Sequence, residues 1–150
     1  MDKDDVIDTL NDLIETSKDG EYGFRTSAER AHSPTLRDRL NSRANACGAA
    51  AAELQALVRQ YGGEPEDDGT ALGAMHRGWV AVKAAISTNA REDHAILSEC
   101  ERGEDSAVAA YRKAMKQPLP TDVLAVVQRQ AQGAKANHDE IKALRDSVGA

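Results

Sequence analysis

Hydrophobic residues recur at alternating spacings of three and four through four long stretches of this chain, which is the pattern of amphipathic helices. The predicted helices cover residues of about 4–32, 34–61, 90–116 and 120–147. Residues that break helices separate them, namely Ser33-Pro34, Gly62-Gly63 with Pro65, and Pro118 with Pro120. The hydrophobic residues of each helix form one continuous stripe along it, which we call its seam. Four helices that each carry such a seam predict an all-α four-helix bundle.

The connection between the second and third predicted helices, residues 62–90, is much longer than the other two. It holds an acidic loop and then a shorter amphipathic stretch at about 70–87. Such a connection can run the length of a bundle, so we expect the third helix to begin at the end opposite to the one where the second helix stops. The predicted topology is a bundle with one long crossover connection carrying a short helix, and we expect residues 1–150 to form a single domain.

A weak internal repeat relates the two helical hairpins. Gly20-Glu21 recurs as Gly103-Glu104, and the run 53–57 recurs as 140–144. Two explanations stand: a pseudo-twofold axis between the hairpins, or chance identities between alanine-rich helices.

Composition and charge narrow the class of protein. Aromatic residues make up only 3% of the chain, which disfavours a β-sandwich. A net charge of -6 disfavours partners that need a basic face, so we expect neither nucleic-acid binding nor binding to an anionic membrane. The acidic start and the lack of a long apolar run predict a soluble cytoplasmic protein, in which Cys47 and Cys100 are buried reduced thiols.

Four polar residues occupy seam positions where apolar residues are expected. Glu21 lies in the first helix, Glu101 and Glu104 in the third, and His138 in the fourth, each near the middle of its helix. Burying an unpaired carboxylate costs several kcal/mol, so something must compensate these acids. Carboxylates with an imidazole suit iron, manganese or zinc. The sequence therefore predicts a metal site of Glu21, Glu104 and His138, supported by Glu101.

A structural interpretation competes with the metal site. Glu21 and Glu104 could pair with Arg43, Lys135 or Arg102, or the helices could rotate so that the carboxylates reach water. His138 could be a hydrogen-bonded core histidine. The chain has no nucleophile elbow and no glycine-rich phosphate loop, so we do not expect an enzyme that works through a covalent intermediate.

Several runs resemble a bacterial ferritin-like four-helix-bundle family catalogued as a domain of unknown function. The runs in the first half are Leu10–Thr16, Lys18–Glu21, Gly23-Phe24, Ala52–Gln55, Gly62-Gly63 and Pro65. Those in the second half are His76–Trp79, Glu99–Asp105, His138-Asp139 and Leu144–Asp146. The resemblance covers nearly the whole chain and implies a ferritin-like fold.

The wider ferritin and rubrerythrin group implies a di-iron site with one Glu from each of two helices and a Glu-x-x-His pair from each of the others. By this resemblance Glu21 and Glu104 match the single glutamates, and His138 matches one histidine. Lys135 stands where the Glu before that histidine belongs, and Gly48 and Ala51 stand where the second helix should supply its pair.

The resemblance therefore implies a degenerate site rather than a di-iron enzyme. We expect a protein that binds iron, manganese or zinc in connection with metal or oxidative stress. The alternative is a metal-free interaction or scaffold module in which the polar cluster is structural.

The run of small residues Ala49–Ala52 allows close approach of another helix after the seam is buried. On this basis we expect a homodimer. The competing explanation is that the crossover helix covers the run.

Overall fold

The computed structural model describes residues 1–67, 79 and 89–148, which form four α-helices. They are α1 (Lys3–Arg30), α2 (Pro34–Gln60), α3 (Asn89–Met115) and α4 (Thr121–Ser147). These bounds lie within two residues of the predicted ones, and no strand occurs in the described ranges. The predicted short helix at 70–87 lies outside the described residues, apart from Trp79.

Side-chain caps fix where the first hairpin starts and turns. The Oδ1 atom of Asp2 accepts a hydrogen bond from the backbone N of Asp5 at 2.9 Å. Ser33 Oγ accepts from the backbone N of Leu36 at 3.3 Å, and Pro34 occupies the first turn of α2. Each cap satisfies a backbone N–H that has no partner within its own helix, so the ends of α1 and α2 are set locally.

Contacts at the two ends of the bundle establish the topology. Where α2 ends, Tyr61 donates a hydrogen bond to Asp122, near the start of α4, at 3.0 Å. At the other end, the Asp93 carboxylate of α3 accepts from the backbone N atoms of His32 and Ser33 at 2.8 and 3.1 Å. The α1–α2 turn is therefore beside the start of α3, and the predicted long crossover is confirmed.

The core consists of two apolar clusters with polar side chains between them. One cluster lies toward the start of α1 and is built on Leu10, Ile14, Leu54, Val58, Val123 and Val127. The other lies toward the α1–α2 turn and is built on Phe24, Leu36, Leu40, Ile96, Leu97 and Ile141. Along their helices Ser17 and Glu104 fall between the two clusters. Arg43 is hydrogen-bonded to Glu104, and Gln130 is joined to Ser17 through the hydroxyl of Tyr111. We call Ser17, Arg43, Glu104 and Gln130 the polar layer. None of the described helices is long and apolar enough to cross a membrane.

Trp79 from the crossover is inserted between α1 and α3. Its ring meets Phe24 edge-on, with centroids 4.7 Å apart, which is a favourable arrangement for two aromatic rings. A Cβ atom built on Gly23 would lie 2.2 Å from the Trp79 ring, and one built on Gly103 would lie 2.3 Å from it. Glycine at these two helix-interior positions therefore provides the space that the indole occupies.

Gly103→Ala should destabilise the protein by about 1–3 kcal/mol, because the added methyl must displace the indole. Gly133→Ala is the matched control, since among the described residues nothing beyond its own helix lies within 4 Å of a Cβ atom there. Replacing glycine by alanine in an open helix interior should stabilise by up to about 1 kcal/mol. Urea unfolding of both variants measures the difference, and equal effects would contradict the proposed role of Gly103.

Candidate functional site

The centre of the polar layer is a buried ion pair between α2 and α3. Arg43 donates from Nε to Oε1 of Glu104 at 3.1 Å and from Nη2 to Oε2 at 3.4 Å. Glu104 is 1% exposed. Burial raises the pKa of the Glu104 carboxyl, while Arg43, Asn137 and His138 act in the opposite direction. Arg43 is therefore the compensating group that the sequence requires for Glu104.

Glu21 lies away from this ion pair, on the side of α1 that faces α2. Its Oε1 atom is 3.7 Å from the Nζ atom of Lys18, and its side chain is about one-third exposed. A Cβ atom on Gly48 would lie 2.3 Å from Oε2 of Glu21, so glycine at position 48 leaves room for this carboxylate. The charge of Glu21 is balanced locally by a partly exposed lysine.

The other two predicted ligands, Glu101 and His138, do lie together, and Asp105 joins them. Each of the three offers one ligand atom, and these atoms all lie within 4.8 Å of one another. The Nε2 atom of His138 is 2.6 Å from Oδ1 of Asp105 and 3.8 Å from Oε1 of Glu101. We call Glu101, Asp105 and His138 the α3–α4 cluster.

Helix geometry explains how this cluster forms. Glu101 and Asp105 are four residues apart on α3, so their side chains project from the same face. His138 approaches that face from the antiparallel helix α4. The side chains of Glu101 and His138 are largely buried, at 14% and 16% exposed, whereas that of Asp105 is 62% exposed. The cluster is therefore a half-exposed site open to solvent on the Asp105 side.

Neighbouring charges hold the members of the cluster in place. Asp139 Oδ1 is 3.1 Å from Nδ1 of His138, and the same oxygen accepts from Lys135 Nζ at 2.8 Å. Arg145 binds Oε2 of Glu101 through Nη1. A proton on Nδ1, directed to Asp139, leaves the lone pair of Nε2 facing the two carboxylates.

Sequence reasoning missed Asp105. The predicted seam of the third helix includes positions 101, 104 and 108, and position 105 is not part of it. The signal that could have found it is the spacing of four between Glu101 and Asp105, which places both carboxylates on one helix face.

Neither cysteine contributes a reactive group to the Arg43–Glu104 ion pair or to the α3–α4 cluster. Both are free and buried. Burial raises the pKa of the Cys47 thiol and of the Cys100 thiol to about 12 in each case. Both residues are therefore neutral thiols at physiological pH, and neither is an activated nucleophile or a ready thiolate ligand.

The residues present do not fit a dinuclear iron centre. Such a centre needs carboxylates from all four helices to balance two cations. Here the guanidinium of Arg43 is paired with the carboxylate of Glu104, so that this carboxylate is not free to bind a metal. On α2, Gly48 has no side chain that could serve as a ligand. Lys135 replaces the glutamate expected before His138 and binds Asp139 instead. The polar layer already contains its own cation, Arg43.

The four helices and their long crossover define a ferritin-like four-helix bundle. A Dps1 mutant from Mycobacterium smegmatis has a similar structure, with a TM-score of 0.78 and 15% sequence identity. The similarity covers 95% of this chain and 96% of that one. It supports the fold of this chain.

The family of this chain is identified from its sequence. A model of the family described as "Domain of unknown function (DUF2383)" matches residues 5–117, so the chain belongs to that family. No protein with curated annotation matches the sequence.

The role of the ion pair between Arg43 and Glu104 can be tested through the free energy of unfolding of two variants. Arg43→Met alone should destabilise the protein by about 3–5 kcal/mol, because it leaves a buried carboxylate without its partner. The double variant Arg43→Met/Glu104→Leu should be close to the parent or more stable, because neither charge then needs to be desolvated. Urea unfolding checks both. A single variant as stable as the parent would show that Arg43 does not compensate Glu104.

Proposed function

We propose that this protein is a ferritin-like binder of a single divalent transition-metal ion, held by Glu101, Asp105 and His138. The observation that carries the proposal is the orientation of His138: Nε2 faces two carboxylates from α3, while Nδ1 faces Asp139. A carboxylate behind a histidine is the usual outer-shell partner of a metal ligand, because it fixes the tautomer that exposes the other nitrogen.

The distances within the α3–α4 cluster suit one small ion. Oxygen and nitrogen ligands lie about 2.1 Å from zinc, which puts two ligand atoms of a tetrahedral ion about 3.4 Å apart. The two distances from Nε2 of His138, 2.6 and 3.8 Å, lie on either side of that separation. Small side-chain rotations would equalise them, and water could complete the coordination on the exposed side of Asp105.

The charge and the chemistry of the ligands define the class of metal. Two carboxylates balance one divalent cation when the histidine is neutral. One imidazole with two carboxylates suits iron(II), manganese(II) or zinc, whereas an all-oxygen set would suit calcium or magnesium. In the cell, an open site of this kind would serve in metal or oxidative stress by holding a free divalent ion.

The competing function is a metal-free interaction or scaffold module. One observation favours it: Arg145 already binds Glu101, and Asp105 can pair with a protonated His138. In that case the α3–α4 cluster is a set of ion pairs that joins two helices and has no ligand.

Metal titration separates the two functions. Purified protein without an affinity tag should bind about one equivalent of Zn²⁺ or Mn²⁺ by calorimetry, and binding should raise the melting temperature, because the ion stabilises only the folded state. Asp105→Asn should weaken binding at least tenfold. This variant removes an exposed charge while keeping the side-chain shape, so it should still fold.

Three further variants make this test specific. His138→Ala should abolish binding, and Asp139→Asn should weaken it about tenfold, as loss of a residue that orients a metal ligand does. Glu21→Gln is the matched control, because Glu21 lies outside the α3–α4 cluster. The absence of metal binding by the parent protein, or unchanged affinity in Asp105→Asn, would favour the scaffold function.

Self-association stays a prediction. Ala49 and Ala52 are exposed on α2, while Ala51 is buried, so part of the small-residue run faces outward. The short helix predicted at 70–87, which could cover this run, lies outside the described residues apart from Trp79. We expect a homodimer, and sedimentation equilibrium at tens of micromolar would disprove it by showing only a species of 16.1 kDa.

A further inference from the structure

The polar layer of the bundle borders a cavity of about 440 Å³ that opens to solvent beside Arg129 and Gly133. Small residues form much of the wall, among them Ala46 and Ala50 on α2, Ala107 on α3 and Gly133 on α4. Trp79 also lines it. α2 and α4 approach each other less closely than the helices within each hairpin do, and a shallower groove between them also reaches Arg43 and Gly133.

The cavity is large enough for an organic molecule. Ligand sites in proteins typically have volumes of about 300–1,000 Å³, and an apolar cavity of about 150 Å³ already holds benzene. The accessible lining of this cavity is mainly apolar. A molecule that filled it would therefore be mostly apolar as well.

One polar group in the cavity wall provides a hydrogen-bond donor without an acceptor. Arg43 uses Nε and Nη2 for Glu104, and among the described residues Nη1 has no hydrogen-bond partner. Arg43 lines the cavity, where the surroundings are mainly apolar. A hydrogen bond from a charged donor in such surroundings is stronger than one in water, so an acceptor oxygen placed here would be stabilised.

The charges around the cavity are already balanced. Arg43 is paired with Glu104 in the interior. Arg129 is paired with Glu53 on the α2–α4 side, where both residues line the cavity. A charged ligand would have to be desolvated without a free countercharge, so a neutral molecule is favoured.

We propose that this cavity binds a small, neutral, mostly apolar molecule that carries one hydrogen-bond acceptor oxygen, such as an aromatic ketone. The apolar body lies along the small residues and the indole of Trp79, and the oxygen accepts from Arg43 Nη1. This site is separate from the α3–α4 cluster and needs no metal.

Binding can be measured with three fluorinated probes that have equal numbers of non-hydrogen atoms. In ¹⁹F NMR titrations of the full chain, 4-fluoroacetophenone should bind at least tenfold more tightly than 4-fluorocumene, in which a methyl group replaces the acceptor oxygen. It should also bind at least tenfold more tightly than 4-fluorobenzoate, which is charged. Trp79 is the only tryptophan of the chain, so its fluorescence should change on binding and report occupancy of this cavity.

A matched pair of variants locates the binding. Gly133→Leu places a side chain into open space at the cavity and should abolish binding. Gln132→Leu adds the same side chain at the next, exposed position of α4 and should leave binding unchanged. Circular dichroism and urea unfolding of both variants establish that they fold.

The acceptor contact is tested by the comparison of probes. Equal affinity for 4-fluoroacetophenone and 4-fluorocumene would overturn the role of Arg43 as the donor. Failure of all three probes to bind would overturn the proposal. Binding that survives Gly133→Leu would also overturn it, because the probe would then lie elsewhere on the protein. None of these outcomes depends on the metal titration, so the two proposals can fail independently.

Discussion

The buried ion pair of Arg43 and Glu104 is the constraint around which the bundle is arranged. A carboxylate that is 1% exposed would be strongly disfavoured alone, and two hydrogen bonds to one guanidinium make its burial possible. The Arg43 guanidinium carbon also lies 5.8 Å from the centre of the Phe24 ring, where a cation is attracted to the aromatic face. The pair therefore links α2 to α3 directly and to α1 through Phe24.

The spacing of the helices follows from what must fit beside this pair. The indole of Trp79 needs the space left by Gly23 and Gly103, and the carboxylate of Glu21 needs the space left by Gly48. These glycines weaken their own helices, since each costs about 1 kcal/mol relative to alanine. The cost is offset by packing of a large aromatic ring and by room for a charged side chain. Gly133 differs, because its open side belongs to the cavity.

The spacing of hydrophobic residues was sufficient to predict the fold, because the seams are long and residues that break helices, proline or glycine, separate one helix from the next. The helix bounds and the crossover could be read in this way, since they depend on local pattern and on loop length. The partners of the seam acids could not. Arg43 and Glu104 are 61 residues apart, and three cations were equally acceptable partners by sequence. Asp105 was missed because the residue that matters lies one position off the seam, where rotation of the helix decides which face meets α4.

The same rotation separates two environments on α3. Glu104 points inward and meets Arg43, whereas Glu101 and Asp105 point toward α4, where His138 is the neighbour of both and Arg145 binds Glu101. A guanidinium cannot dissociate from the protein, so the charge balance of the interior does not depend on metal supply. The α3–α4 cluster has no such fixed cation between Asp105 and His138. On the proposed function, a divalent ion would bind and leave at this half-exposed cluster. The charge of the buried Glu104 would stay balanced by Arg43 whether or not the ion was present, because that ion pair belongs to the protein itself.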